Sequence, residues 1–410
     1  MIYDLIVIGG GPAGMMAAGR AAELGARVLL LEKNKHLGIK LLTTGNGRCN
    51  LTNTVSVRDL IKSFGENGKF LFSAFSKFTP DDVREFFSQW GVATKVENNN
   101  RVFPVSNKAL DVLNALIKYL KKSKVEIIFE ASVKKIEKKG NQISKLVLSD
   151  GREFFAKNYL IATGGLSYPA TGSTGSGYPW LFSLGHKIIK TFPALTPVAI
   201  KEKFIKELEG VSLAGTKFVW KKEEKIIDSQ IGEAIFTAGG LSGPAVFASS
   251  GLVAKNLPGI NLILDFIPEK NLSELDLFLQ EKFVKNKNKK IKNVLSEILV
   301  ERLAMQVLKV AGIILETEIN QITKAERQAL CRTIKNFSLE VSSVAGYQKA
   351  MVTTGGLDLS EVDPKTMYSK IIKNLLVAGE VLDLDGPTGG FNLQLCWSTG
   401  RLAGESVLNN

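Results

Sequence analysis

Gly9, Gly11 and Gly14 stand at Gly-x-Gly-x-x-Gly spacing, directly after the apolar run Leu5-Ile-Val-Ile8 and before an alanine-rich segment. Glycines so placed permit a tight turn at Gly9, admit a diphosphate against the backbone at Gly11, and let helix and strand pack closely at Gly14. The helix opening at Pro12 and Ala13 would then direct its positive end at phosphate oxygens. A second apolar run, residues 27–31, stops at Glu32 and Lys33. A carboxylate about 20 positions beyond the glycines is placed to accept hydrogen bonds from an adenosine ribose. Ala18 and Gly25 extend the small-residue spacing and are expected where helix meets sheet. The bland alternative is a glycine-rich turn of an ordinary α/β domain.

The far end of the sequence narrows the choice of dinucleotide. Residues 375–382 read as another buried strand, interrupted by Gly379 and Glu380, and Asp385, Gly390, Phe391, Asn392 and Leu393 lead into an apolar helical pattern. Two helix amino ends suit one extended ligand, with ADP at the first and a ribityl chain and isoalloxazine at the second. The positive end of the Phe391 helix would stabilise charge at flavin N1 and O2. A simple NAD dehydrogenase needs no such second element, so the expected cofactor is FAD. No second Gly-x-Gly-x-x-Gly follows a strand, so NADH or NADPH would visit the flavin only transiently.

Flavin chemistry needs a proton donor beside the hydride source. Cys49 is the candidate catalytic acid, because it follows Arg48 in a glycine-rich turn and adjacent positive charge favours thiolate. The opposing reading makes Cys49 a small apolar filler. Gly47, Arg48, Cys49 and Asn50 are expected near the cofactor, as are Thr163, Gly164 and Gly165 after a buried strand at 158–163. Tyr168 and Tyr178 would donate protons, stack on a base or pack on the flavin. His186 reads as structural, and Cys331 and Cys396 as core. Lys40 and Arg48 would hold pyrophosphate or flavin oxygens, the opposing reading being a solvent-exposed charge, which is favoured for Lys40 only. The Gly172–Gly177 loop lacks the Gly-Lys-Ser/Thr ending of a triphosphate loop.

Several motifs carry a family likeness: Gly45-Asn-Gly-Arg-Cys-Asn-Leu-Thr-Asn53, Ala162-Thr-Gly-Gly-Leu-Ser-Tyr-Pro169, Thr171-Gly-Ser-Thr-Gly175, and the tail from Val352-Thr-Thr-Gly-Gly to Gly404. In this order they resemble the BaiN/RdsA family of bacterial flavoproteins across essentially the whole chain. The resemblance implies bound FAD, a reduced nicotinamide donor, and a divided FAD domain with an insertion. It places Val133 where such folds use a backbone contact to adenine. It also implies reduction of a carbon–carbon double bond, with uridine to dihydrouridine in large-subunit ribosomal RNA favoured. A reductase or oxidase of a small enone or aminoketone, and a non-catalytic flavin-bound redox or assembly protein, remain as alternatives. Two departures stand out. Ala238 occupies the place of a histidine frequent in the family, so no proton-transfer role carries over, and Asn46 replaces a usual glycine.

The 410 residues, 45% hydrophobic and 23% charged, are those of an ordinary globular protein of more than one unit. No apolar stretch approaches a membrane span, and Asp4 follows at once where a secretory leader would be apolar, so a cytoplasmic protein is expected. Three cysteines and two histidines, widely spaced, argue against a metal site. The net charge of +13 suits ribosomal RNA, yet 42 Lys against 11 Arg equally suit a lysine-rich proteome. Glu281 to Lys292 holds six lysines, either a solvated helix end or a phosphate contact.

The expected fold class is α/β: a Rossmann-like FAD-binding domain of the two-dinucleotide-binding type, interrupted by a β-rich plus helical insertion. Residues 1–193 and 346–410 would form the FAD domain, and 194–345 the substrate domain, with a β part to about 267 and a helical part from about 268. Thr79-Pro80-Asp81-Asp82 and Thr323-Lys-Ala-Glu326 read as helix starts, Ser273 as another, and Ile291 to Val310 as one continuous helical pattern.

Overall fold

The computed structural model describes residues 2–408 and divides them into two compact units. The first comprises residues up to Phe192 together with Ala350 onward. Its centre is a five-stranded parallel sheet in the order Leu375–Val377, Ala156–Ile161, Tyr3–Ile8, Val28–Leu31 and Glu126–Ile128. Leu5, Ile6, Val7, Leu29, Leu30, Tyr159, Leu160 and Leu376 are wholly shielded from solvent. That is why these strands read as continuous apolar runs rather than alternating ones.

The helix Pro12–Glu23 lies against the helix Phe391–Ser406, and glycines decide the approach. A Cβ on Gly400 would sit 2.4 Å from Ala13 O, and one on Gly404 2.5 Å from Ala17 O. Gly25 does not touch the sheet as its spacing suggests. A Cβ there would meet nothing within 4 Å, and its φ of +102° makes it the turn that ends the first helix. Thr79 caps Pro80–Gln89 through a reciprocal box with Asp82, as its sequence predicts.

The second unit, Pro193–Lys349, is built on a closed barrel. Around it run Val198–Ile200, Gly240–Ser242, Lys225–Thr237, Ser212–Lys222, Ile260–Asp265 and Phe337–Val344, the last closing onto the first. Trp220, Phe218, Phe236 and Leu262 fill one core together with Leu275, Leu279, Leu303, Val307 and Leu330 of the helices. Three local expectations change. The helical part ends earlier than residue 345, because Phe337–Val344 alternates buried and exposed residues and completes the barrel. Asn271, not Ser273, caps the helix Leu272–Lys285, with Glu274 closing the box. The 291–310 pattern breaks into Ile291–Leu295 and Glu301–Val310.

Four lysines of the 281–292 segment are paired within this unit, Lys282 and Lys289 with Glu297, Lys290 and Lys292 with Glu316. Such exposed pairs contribute little to stability, about 0–1 kcal/mol each, but they reduce the local positive field. Among the described residues, no helix is long and apolar enough to cross a membrane.

Candidate functional site

Open parallel sheets bind ligands beyond the carboxyl ends of their strands. Here a cleft runs over four such ends: Glu32 and Lys33 after one strand, Gly9 to Ala13 after the next, Thr163 and Gly164, then Gly379 and Glu380. Ser132, Val133 and Trp180 line it too, as do Lys40, Cys396 and the loop Thr171–Thr174.

The three fingerprint glycines are needed for different reasons. A Cβ on Gly9 would meet Ala162 O at 2.6 Å, and one on Gly14 would meet Gly9 O at 1.9 Å. Both are therefore required by the protein's own backbone. Gly11 is not: nothing lies within 4 Å of its absent Cβ, and φ −81°, ψ −177° suits any residue. The open space there faces the start of a helix with no side-chain cap and no acid in its first turn. Such an end leaves N–H groups for an anion. Thr163, also in the wall, keeps a buried hydroxyl without a partner. These residues fit a dinucleotide.

Glu32 does more than face a ribose. Its Oε2 accepts from Gly10 N–H at 2.8 Å and its Oε1 from Asn34 N–H at 2.8 Å. The carboxylate thus fixes the glycine turn to the segment after the second strand, and each oxygen retains one acceptor site. Lys33 Nζ donates to Thr174 Oγ1 at 2.8 Å, tying that segment to the Gly172 loop.

At the other end of the cleft, four residues form a connected polar network. Glu380 Oε1 accepts from Ser167 Oγ at 2.6 Å and from Thr353 N–H at 3.0 Å. Glu380 Oε2 accepts from Lys40 Nζ at 2.7 Å, and Lys40 also donates to Ser167 Oγ at 2.8 Å. Thr353 Oγ1 accepts the Leu166 and Ser167 N–H groups. Gly165 is glycine for this reason, since its Cβ would lie 2.5 Å from Thr353 Oγ1. The expectation of a solvent-exposed Lys40 is therefore corrected: its side chain is 20% exposed and committed to Glu380. Ser167 and Thr353 were missed because their types are common. Their local marks were the quoted Ala162–Pro169 and Val352–Gly356 motifs.

Several expected cofactor residues do not reach this cleft. Arg48 Nη2 pairs with Glu97 at 2.6 Å and its guanidinium lies over the Phe103 ring at 3.8 Å, so its charge is spent inside the turn. Asn46 adopts φ 57°, the left-handed conformation its side chain tolerates. Gly47 is exposed. The Asn50 amide, oriented to satisfy both its ends, donates to Val102 O and Thr52 O and accepts from Gly390 N–H. That bond takes one N–H at the start of the Phe391 helix, at Gly390, whose absent Cβ would lie 2.3 Å from Thr52 O. Phe391 is core, Leu393 packs on the core, and the Asn392 amide closes on Gly386 and Pro387. Asp385 is half-buried outside the cleft wall. The turn and helix thus brace each other.

Cys49 is reversed as well. It is fully buried, and burial pushes its thiol up to about 12, overriding any influence of Arg48. Burial thus keeps the Cys49 thiol protonated. In the native protein at pH 8, alkylation by iodoacetamide is expected to spare Cys49, while urea-unfolded protein reacts there. Peptide mass mapping checks this, and rapid native labelling would restore the thiolate reading. His186 is structural, with Nδ1 against Leu181 O and Nε2 against Ser369 Oγ. Tyr178 is buried, and Tyr168 is half-buried in the turn preceding the Gly172 loop. Among the described residues no cluster of His, Cys, Asp and Glu is suited to a metal.

Residues 3–406 match the family described as HI0933-like protein Rossmann domain. The chain belongs to this family. It is 32% identical over 98% of both chains to a 3-dehydro-bile acid delta(4,6)-reductase of Clostridium scindens. It is 29% identical to the ribosomal RNA dihydrouridine synthase of Escherichia coli, over 99% of this chain and 98% of that one. The resemblance carried by the Gly45–Asn53 and Ala162–Pro169 motifs therefore holds along the full length. Among solved structures, a 3-ketosteroid delta1-dehydrogenase from Sterolibacterium denitrificans shares the fold, with a TM-score of 0.55 over 99% of each chain at 13% identity.

Proposed function

We propose that this protein is an FAD-dependent oxidoreductase that accepts hydride from NADH or NADPH and reduces a carbon–carbon double bond. The favoured substrate is a uridine of large-subunit ribosomal RNA, giving dihydrouridine. The observation that carries the cofactor assignment is the open space at Gly11 before an uncapped helix, in a cleft that continues to Glu380. FAD, when bound, supplies the hydride. The chain's own part is positional. Gly11, Pro12 and Ala13 would face the diphosphate, Glu32 the ribose, Val133 the adenine, and Thr163, Gly164, Gly379 and Glu380 the remainder.

RNA as substrate is supported by the full-length likeness to the Escherichia coli synthase and by the net charge of +13. We assign substrate binding to the barrel unit, Pro193–Lys349. One observation favours a second reading, a small conjugated ketone, namely the 32% identity to the bile acid reductase. Both need a proton delivered beside the hydride.

Mapping dihydrouridine in ribosomal RNA from cells with and without the gene separates the readings. Loss of one modified position on deletion is the expected result. An unchanged map overturns the RNA substrate and leaves the flavin assignment to be judged on the visible spectrum of the purified protein.

A further inference from the structure

Counting hydrogen-bond capacity through the Glu380 network shows where it is unfinished. Ser167 Oγ has one proton, given to Glu380 Oε1 over 2.6 Å, and it accepts from Lys40. Its second acceptor site faces Thr353 Oγ1 at 3.3 Å, so the Thr353 hydroxyl is the donor there. Thr353 Oγ1 accepts two backbone N–H groups and is complete. Glu380 Oε1 holds two donors and is complete. Two capacities remain: one proton of the Lys40 ammonium and one acceptor site on Glu380 Oε2. Both residues line the cleft.

The approach of these groups is built by the chain. Gly38 adopts φ 64°, starts the short helix Ile39–Thr43, and donates its N–H to Gly10 O at 2.9 Å, which brings Lys40 beside the glycine turn. Gly379, at φ 80° with its N–H on Thr399 Oγ1, aims Glu380 from the opposite side. An ammonium with one proton to spare, locked by a carboxylate and a hydroxyl, is an organised donor to an anion.

We propose that Lys40 is a cofactor-contacting cation, held in place by Glu380 and Ser167, whose remaining proton goes to an anionic oxygen of bound FAD. This rests on the cofactor reading above. The shared chemistry is negative oxygen, either on the diphosphate or on the reduced ring system. Ser167 and Thr353 are positioning residues that act through Glu380 and Lys40.

The test compares the full chain with Lys40→Met, Lys40→Arg and Ser167→Ala, measuring FAD affinity by titration of apoprotein and the midpoint potential of the bound flavin. If the diphosphate is the partner, Lys40→Met weakens FAD about tenfold or more with little change in potential. If the reduced ring is the partner, the potential falls, because loss of the cation disfavours the more negative form. A tenfold loss of preference corresponds to about 30 mV for the two-electron couple. In either case Lys40→Arg retains part of the effect and Ser167→Ala loses part of it. Wild-type affinity and potential in Lys40→Met overturn the proposal while the cofactor assignment stands. Should Lys40→Met not fold, unchanged affinity and potential in both Lys40→Arg and Ser167→Ala overturn it equally. Failure of the wild-type protein to take FAD overturns the cofactor reading itself.

Discussion

Gly11→Val is expected to fold normally and to lose FAD, whereas Gly14→Ala is expected to damage the fold itself. The contrast follows from what each absent side chain would meet. At Gly11 the backbone is extended and nothing lies within 4 Å, so a branched side chain fits the protein and fills only the space before the helix. At Gly14 a single methyl would stand 1.9 Å from Gly9 O, a backbone atom that cannot move without opening the turn. Overpacking of this kind costs about 1–3 kcal/mol or more. Thermal unfolding of the apoproteins should therefore place Gly11→Val near wild type and Gly14→Ala well below it. Titration with FAD should show Gly11→Val weakened roughly a hundredfold, about 2.7 kcal/mol. Near wild-type affinity in Gly11→Val would mean that no diphosphate lies against this turn.

Glu32→Gln is the second large effect, and it separates two roles that a single carboxylate combines. A ribose contact alone would let the apoprotein of Glu32→Gln unfold like wild type. Glu32 instead accepts one backbone N–H on each oxygen. An amide has only one oxygen, so its NH₂ must face either Gly10 N–H or Asn34 N–H. Leaving that buried donor unsatisfied costs about 1–3 kcal/mol. Urea unfolding of the apoprotein should shift by that amount, with FAD binding weakened in addition because the glycine turn loses its anchor. An unshifted urea midpoint would return Glu32 to the ribose role alone.

These two residues also show why parts of the site were legible in advance. The glycine spacing, the apolar runs before it and the acid after the second strand are local signals, set by turn geometry and by burial on both sheet faces. The capping boxes at Thr79 and Thr323 are equally local, since donor and acceptor lie three positions apart. Asn271 escaped because Ser273 competes with it as a cap in composition, and only backbone geometry decides between them. The strand Phe337–Val344 was hidden for another reason. It follows four helices, and its partners Ile260–Asp265 and Val198–Ile200 lie far back along the chain.

The Arg48-Cys49 turn gives the opposite lesson. A charge beside a thiol in sequence suggests activation, but adjacent residues in a tight turn point in different directions. Arg48 leaves toward Glu97 and Phe103, while Cys49 enters the core. Desolvation then governs the thiol.

From the order of its residues alone, this protein declares a parallel sheet, a glycine turn shaped for a diphosphate, and a family. Those properties depend on neighbours within a few positions or on the apolar content of one strand. The pairing of Lys40 with Glu380 spans 340 positions, and no local pattern encodes it. Only folding brings the ends of separate strands to one cleft, and only packing decides which charges there are neutralised, which are buried, and which keep a proton for a ligand.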